Sequence, residues 1–307
     1  MNRWLTPCTT AGGSCSCRSC PPTPRVLSTR RGRCRGSMCW SVSFAWRPPM
    51  TTETQMSHRL GSFEMARFVV DGFLEYGDLV PDDLNAQVHR DALAYPKNRG
   101  YNPNKPNEFW DYSDAVREVF ELPTVRDVVE SLVGPEAIHD HSFLHTVAPG
   151  RREAQRWHVD SSLALDHPRQ FDILVCYFPH DAPAEMGPTL VLPGSHVRRV
   201  SYHDVTRYKN FRGQRQLTGP GGRIAFIHES LWHCAQPNQT DQWRFMFKIR
   251  YLPRVAQRGL FNADGLDQAE IEAFFNDSNR RYPWAGDQFV AMGQAWRSWW
   301  RYLVEAA

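Results

Sequence analysis

Between about residue 139 and residue 252 the sequence breaks into short apolar runs, each closed by Pro, Gly or Asn. Runs at 142–148, 155–161, 171–178, 189–192, 223–227, 231–235 and 243–251 read as seven strands separated by turns. Seven short strands between helical flanks suggest a jelly roll (double-stranded β-helix, cupin-like) or a barrel.

Helical patterns flank this stretch. Residues 63–74 read as a short helix or strand entering a turn at Asp71-Gly72. Pro81 opens a helix with acids in its first turn and apolar residues at 84, 88 and 92. Residues 97–113 read as a loop, and 115–133 as one helix ending at Gly134-Pro135. Segments 269–276 and 291–306 read as two final helices. Trp296, Trp299, Trp300 and Leu303 recur on the last at a spacing of three and four, an apolar stripe for packing against the body. The fold class expected is an all-β core with helical flanks (α+β), the helices packed on one side of the jelly roll.

Charge and cysteine divide the chain at Met50. Residues 1–49 hold eight Arg, no Lys, no acid and six of the eight Cys; the rest carries 28 bases against 33 acids. The net charge of +3 therefore belongs to the tail, and the body has no nucleic-acid character. The tail has no helical period and no alternation, so 1–49 is expected to be disordered or non-native, with translation starting at Met50 or Met56. A zinc site at Cys17, Cys20, Cys34 and Cys39 and an Arg-rich import peptide are the competing readings. Residues 50–307 are expected to form a single domain. Two isolated body cysteines, Cys176 and Cys234, give no disulfide framework, so a reducing, cytoplasmic location is expected. No apolar run is long enough to span a membrane.

The chemistry centres on Trp157-His158-Val159-Asp160. A His-x-Asp pattern is cheap, and a second occurs at His89-Arg90-Asp91. That one lies on a helix, where positions two apart diverge; His158 and Asp160 lie in a strand-like run, where they share a face. An imidazole and a carboxylate on one face need a third ligand. His228 and His233 both flank the run 231–235, and His233 is preferred because it lies inside it. In a hairpin, the outgoing strand would return Arg244 beside the site, where a guanidinium can clamp a carboxylate. Two His and one carboxylate leave open positions on an octahedral iron, as in the non-haem Fe(II) oxygenases. A 2-oxoglutarate would then bind through its keto-acid end, its distal carboxylate meeting Arg244, with one position left for O2.

Those residues, with Asp172–Phe178, Gly187-Pro188-Thr189-Leu190-Val191-Leu192-Pro193-Gly194-Ser195-His196, and Leu231-Trp232-His233 followed eleven residues on by Arg244, resemble the phytanoyl-CoA dioxygenase family of Fe(II)/2-oxoglutarate-dependent oxygenases. The resemblance runs over about 63–252. It implies His158, Asp160 and His233 as iron ligands and Arg244 as the co-substrate arginine. It also implies Phe178 as an aromatic beside the co-substrate and Thr189 as a hydroxyl to its carboxylate. Val159 and Ala235 depart from residues often found in the family. The implied function is a dioxygenase hydroxylating a C–H bond of a small organic substrate, releasing succinate and CO2. A jelly-roll metalloenzyme without 2-oxoglutarate and a binding module with a vestigial metal site are the alternatives. An insert after His196 holds Arg198, Arg199, Arg207, Lys209, Arg212 and Arg215 against Asp204. Near the barrel mouth, that charge would favour an anionic substrate.

Overall fold

The computed structural model describes residues 58–96, 104–160, 171–198, 209–261, 267–282 and 286–304. The expectations for residues 1–49, including the cysteine site, lie outside these residues, as do the insert's Arg199 and Arg207.

Eight strands form two antiparallel sheets. The larger is ordered β1 (Phe73–Tyr76), β6 (Arg223–His228), β3 (Ile173–Phe178), β8 (Arg244–Leu252) and β2 (Ile138–Val147). The smaller is ordered β5 (Arg215–Leu217), β4 (Thr189–Val191) and β7 (His233–Ala235). This is the expected jelly roll. Alternation along the large sheet sorts its side chains into two cores. Ile173, Val175, Tyr177, Phe245, Phe247 and Ile249 point to the helices. Leu174, Cys176, Phe178, Ala225, Ile227 and Met246 point inward, against Val191, Leu217 and Leu231 of the small-sheet side.

The helical face is built by α1 (Ser62–Asp71), α2 (Asp82–Ala94), α3 (Glu108–Tyr112), α4 (Asp114–Glu121), α5 (Pro123–Val133), α6 (Gln268–Arg281) and α7 (Asp287–Val304). The Trp296, Trp299, Trp300 and Leu303 stripe is buried in that core. The segment 63–74 resolves into α1 and β1, joined by Gly72. Its φ of +79° caps α1 in the left-handed region, and a Cβ there would lie 2.4 Å from Nδ1 of His196.

Four expectations need correction. The single helix over 115–133 is two, because Leu122 precedes Pro123 and is held in an extended conformation, ψ 130°. The loop over 97–113 contains α3, which packs Phe109 into the helical core. Of the strand expected over 155–161, the described residues 155–160 hold only an isolated bridge at His158. Finally, β7 and β8 are no hairpin: they belong to different sheets. The chain between them crosses from one sheet to the other, pinned by Asn238, whose Nδ2 donates to the carbonyls of Val147 (3.3 Å) and Gln242 (2.8 Å). One short strand, β5, matches none of the expected runs and lies inside the basic insert.

Candidate metal and co-substrate site

The site sits between the sheets. His158 and His233 form a closely bonded antiparallel pair, each amide donating to the other's carbonyl at 3.0 Å. Residues directly opposite in such a pair project from the same face, and the two rings lie 4.3 Å apart between centroids. Asp160, two residues on, extends from that face. Its carboxylate is 3.5 Å from Nε2 of His158 and 3.7 Å from Nε2 of His233. Ligand atoms of the three residues lie within 4.8 Å of one another, the one such group among the described residues.

The rings are oriented by the backbone. Nδ1 of His158 lies 2.9 Å from the carbonyl of Arg156, and Nδ1 of His233 lies 2.9 Å from that of Leu231. Only a protonated Nδ1 can donate to a carbonyl, so both Nε2 lone pairs face the centre. Burial pushes His233 down to about 4, against the pull of Asp160. Burial acts upward on Asp160, but His233, Lys248 and His158 outweigh it and hold the carboxyl well below the usual range. Lys248 also stands beside Asp160, its Nζ donating to Oδ2.

Trp157 points the other way. Fully buried, it donates from Nε1 to the carbonyl of Lys209 at 3.1 Å and meets Phe211 edge-on at 5.2 Å. The end of the basic insert thus packs against the residue preceding His158. Arg215 lies over the ring of Phe73.

Arg244 opens β8 and is 1 % exposed. Its Nη2 donates to Oγ1 of Thr189 at 2.6 Å, and its guanidinium carbon lies 5.8 Å from the centre of the Phe178 ring. Burial lowers it to about 10, so it is a cation at neutral pH. Its Nε has no hydrogen-bond partner, and no carboxylate pairs with it among the described residues. A buried guanidinium left that way is costly unless an anion reaches it. Thr189 and Phe178 are both buried around it.

His228, the rejected third ligand, lies elsewhere. Its ring stacks on Phe171 at 5.0 Å and its Nδ1 accepts from the Ser230 amide at 3.1 Å. Cys234 is buried on the far side of β7, its thiol pushed up to about 12 by burial.

Two residues escaped sequence reading. Lys248 is four residues beyond Arg244 on the same strand, and period-two counting alone puts it on the same face. His145 of β2, opposite Met246 in register, is half-buried and held well below its ordinary value by burial, then by Lys248. No motif marks it.

Residues 71–246 match the family model described as phytanoyl-CoA dioxygenase, a family dependent on Fe(II). No curated protein matches the chain. Among solved structures, EctD from S. alaskensis with 2-oxoglutarate and 5-hydroxyectoine is 18% identical with a TM-score of 0.53, over 68% of this chain and 82% of that one. The non-heme monooxygenase ThoJ in its apo form is 20% identical with a TM-score of 0.52, over 76% and 98%. EvdMO1 is 20% identical with a TM-score of 0.51 over 63% of this chain, which spans only 50% of EvdMO1. These likenesses carry the fold.

Proposed function

Since the chain belongs to the phytanoyl-CoA dioxygenase family, we propose that it is an Fe(II)- and 2-oxoglutarate-dependent dioxygenase hydroxylating a C–H bond of a small organic substrate. His158, Asp160 and His233 would hold the iron, two neutral imidazoles and one carboxylate being the donor set such an ion takes. Arg244 would receive the distal carboxylate of 2-oxoglutarate, with Thr189 holding the guanidinium and Phe178 walling the pocket.

The observation that carries the reading is Arg244: a fully buried cation, unpaired by any described carboxylate, inside the same barrel as the triad. A metalloenzyme without 2-oxoglutarate would have no use for it, and this weighs against that alternative. Iron and 2-oxoglutarate, when bound there, would supply the oxidising chemistry with O2, one oxygen atom going to succinate as CO2 leaves and the other to the hydroxyl of the product. The protein contributes order and exclusion of water. The Arg156 and Leu231 carbonyls keep both imidazoles aimed at one point. Leu174, Phe178 and Leu231 keep the inner face apolar.

Among the described residues no helix is long and apolar enough to cross a membrane, and the two described cysteines are free. A cytoplasmic enzyme with a catalytic domain over 50–307 and a dispensable tail fits both facts. The test is an assay of the full chain with Fe(II), 2-oxoglutarate and a panel of small organic acids and amines. Succinate release above the substrate-free rate, matched by hydroxylated product, is expected. Product formation without 2-oxoglutarate would overturn the reading.

A further inference from the structure

The inner face of β8 carries four polar or polarisable side chains in strict alternation, Arg244, Met246, Lys248 and Arg250. Arg250 is paired with Asp172. Arg244 is assigned above to the co-substrate. Lys248 remains. It is 9 % exposed, and its one ion-pair partner is Asp160, a residue the metal also needs. Its cross-strand neighbours, Cys176 on β3 and Phe143 on β2, bring no charge.

A count of charge follows from these placements. Lys248 and Arg244 each bring one positive charge and Asp160 one negative. A divalent iron and a dianionic 2-oxoglutarate cancel each other. Among the described residues, Arg250 is already matched by Asp172 and adds no net charge. Counted over the described residues, the loaded pocket is left with one positive charge beside a lysine that is only 9 % exposed, where an unmatched charge is strongly disfavoured. Asp160 cannot satisfy Lys248 and a dication equally, so the excess is felt at the lysine.

Resting on the iron and 2-oxoglutarate reading above, we propose that Lys248 is a specificity-determining residue that receives a carboxylate on the primary substrate. A single excess charge matches a monoanion, which favours a carboxylate over a phosphate dianion. Lys248 and Arg244 lie on opposite sides of Met246 along the strand, so the two anions do not compete for one cation. The primary substrate is then a small carboxylic acid whose acid end anchors beside Asp160.

The proposal makes anion and metal binding cooperative, because each relieves a charge the other creates. Co(II) is titrated into the full chain at saturating 2-oxoglutarate and followed by the visible absorption of the bound ion. The titration is run in acetate or in its neutral counterpart acetamide, at equal ionic strength. Acetate is expected to tighten Co(II) binding to the wild type by about fivefold or more, the lower end of ordinary coupling between sites. Lys248→Met should lose the acetate effect and bind Co(II) more tightly than wild type in acetamide, since a like charge is gone. Lys248→Arg should restore the acetate effect. An acetate effect equal in wild type and Lys248→Met, or absent from both while Co(II) and 2-oxoglutarate still bind, would overturn the assignment. Failure of the wild type to bind Co(II) at all would overturn the iron reading, and this one with it.

Discussion

Two close pairs of histidines flank the large sheet, and only one of them stands in a group that could hold a metal. His158 and His233 lie 4.3 Å apart and His196 and His228 5.1 Å apart, ring centre to ring centre. Proximity does not distinguish them; what surrounds the nitrogens does. In the first pair each Nδ1 is tied to a carbonyl two residues back, Nε2 faces inward, and Asp160 stands between. In the second, Nε2 of His196 is spent on the carbonyl of Val69 at 3.1 Å, and His228 is enclosed by Phe68, Phe171 and Trp299. Burial drives His228 well below its ordinary value and His196 to about 4. One pair presents two ring nitrogens around an anion; the other is aromatic filling between the sheet and helices α1 and α7.

The comparison breaks most sharply with alanine at one member of each pair. His233→Ala should weaken Co(II) or Fe(II) binding by more than about 100-fold, beyond the loss typical of an outer partner, while leaving the melting temperature of the metal-free protein nearly unchanged. His228→Ala should do the reverse, keeping metal affinity and losing roughly 2–5 kcal/mol of stability, the range for truncating a large core side chain. Metal titration and thermal melts on both variants decide it. Metal loss in His228→Ala with retention in His233→Ala would exchange the two roles.

Arg244 sharpens the same contrast between an occupied and an expectant polar group. Arg244→Ala should cost roughly 2–5 kcal/mol of 2-oxoglutarate binding, the usual penalty for breaking a buried charge pair, and so raise its KM by at least about thirtyfold. Metal affinity measured without 2-oxoglutarate should stay as it is. An unchanged 2-oxoglutarate KM would remove the arginine from the co-substrate site.

Gly72→Ala probes the structural pair. The substitution forces a left-handed backbone at φ +79° and pushes a methyl into the His196 ring at 2.4 Å. Strain of about 1–2 kcal/mol and overpacking of about 1–3 kcal/mol should lower the melting temperature, with metal binding intact. Melting at the wild-type temperature would mean that His196 has room to move, and that its cluster is less tightly packed than its contacts imply.

How far the sequence reveals this depends on the range of the pattern involved. The jelly roll is legible because alternation and turn residues are local, and both sheets are built from such runs. The shared face of His158 and Asp160 is legible for the same reason, since period two needs only three residues. The contact of that face with His233 is a matter of strand pairing at a distance of 75 residues, to which only the place of His233 inside the run 231–235 and the family resemblance point. The hairpin expected to return Arg244 fails because nothing in residues 236–243 records that the chain changes sheets there; that is fixed by Asn238 reaching the carbonyl of Val147. Lys248 obeys the alternation yet stays unnoticed, because a lysine in a strand reads as a solvated face until the partner sheet is known to cover it. The break at Leu122 was open to reading, since Pro123 disfavours a helical residue before it.

Glu229 lies between the two histidine pairs and gives the smallest effect. Its carbonyl accepts from the amide of Asp160 at 3.3 Å, and its carboxyl is 3.2 Å from Nδ1 of His228. Burial, and then the charge of Asp172, raise it well above the usual carboxylate range. The sign follows from proton linkage. A carboxyl whose folded value is raised binds a proton in the native state at pH values where the unfolded chain has released it. Native stability from this group is therefore complete below the ordinary carboxylate value and declines as pH rises toward the folded one. Glu229→Gln fixes the neutral form and removes the decline. The stability difference, variant minus wild type, should grow between pH 5.5 and 7.5. The growth should be at most about 2.8 kcal/mol, two pH units at ~1.4 kcal/mol each. Chemical denaturation of both proteins at the two pH values measures it. A difference that shrinks with pH would mean that Glu229 is ionised in the native protein and that His228 has a charged neighbour, which would leave the two histidine pairs less unlike than they are drawn here.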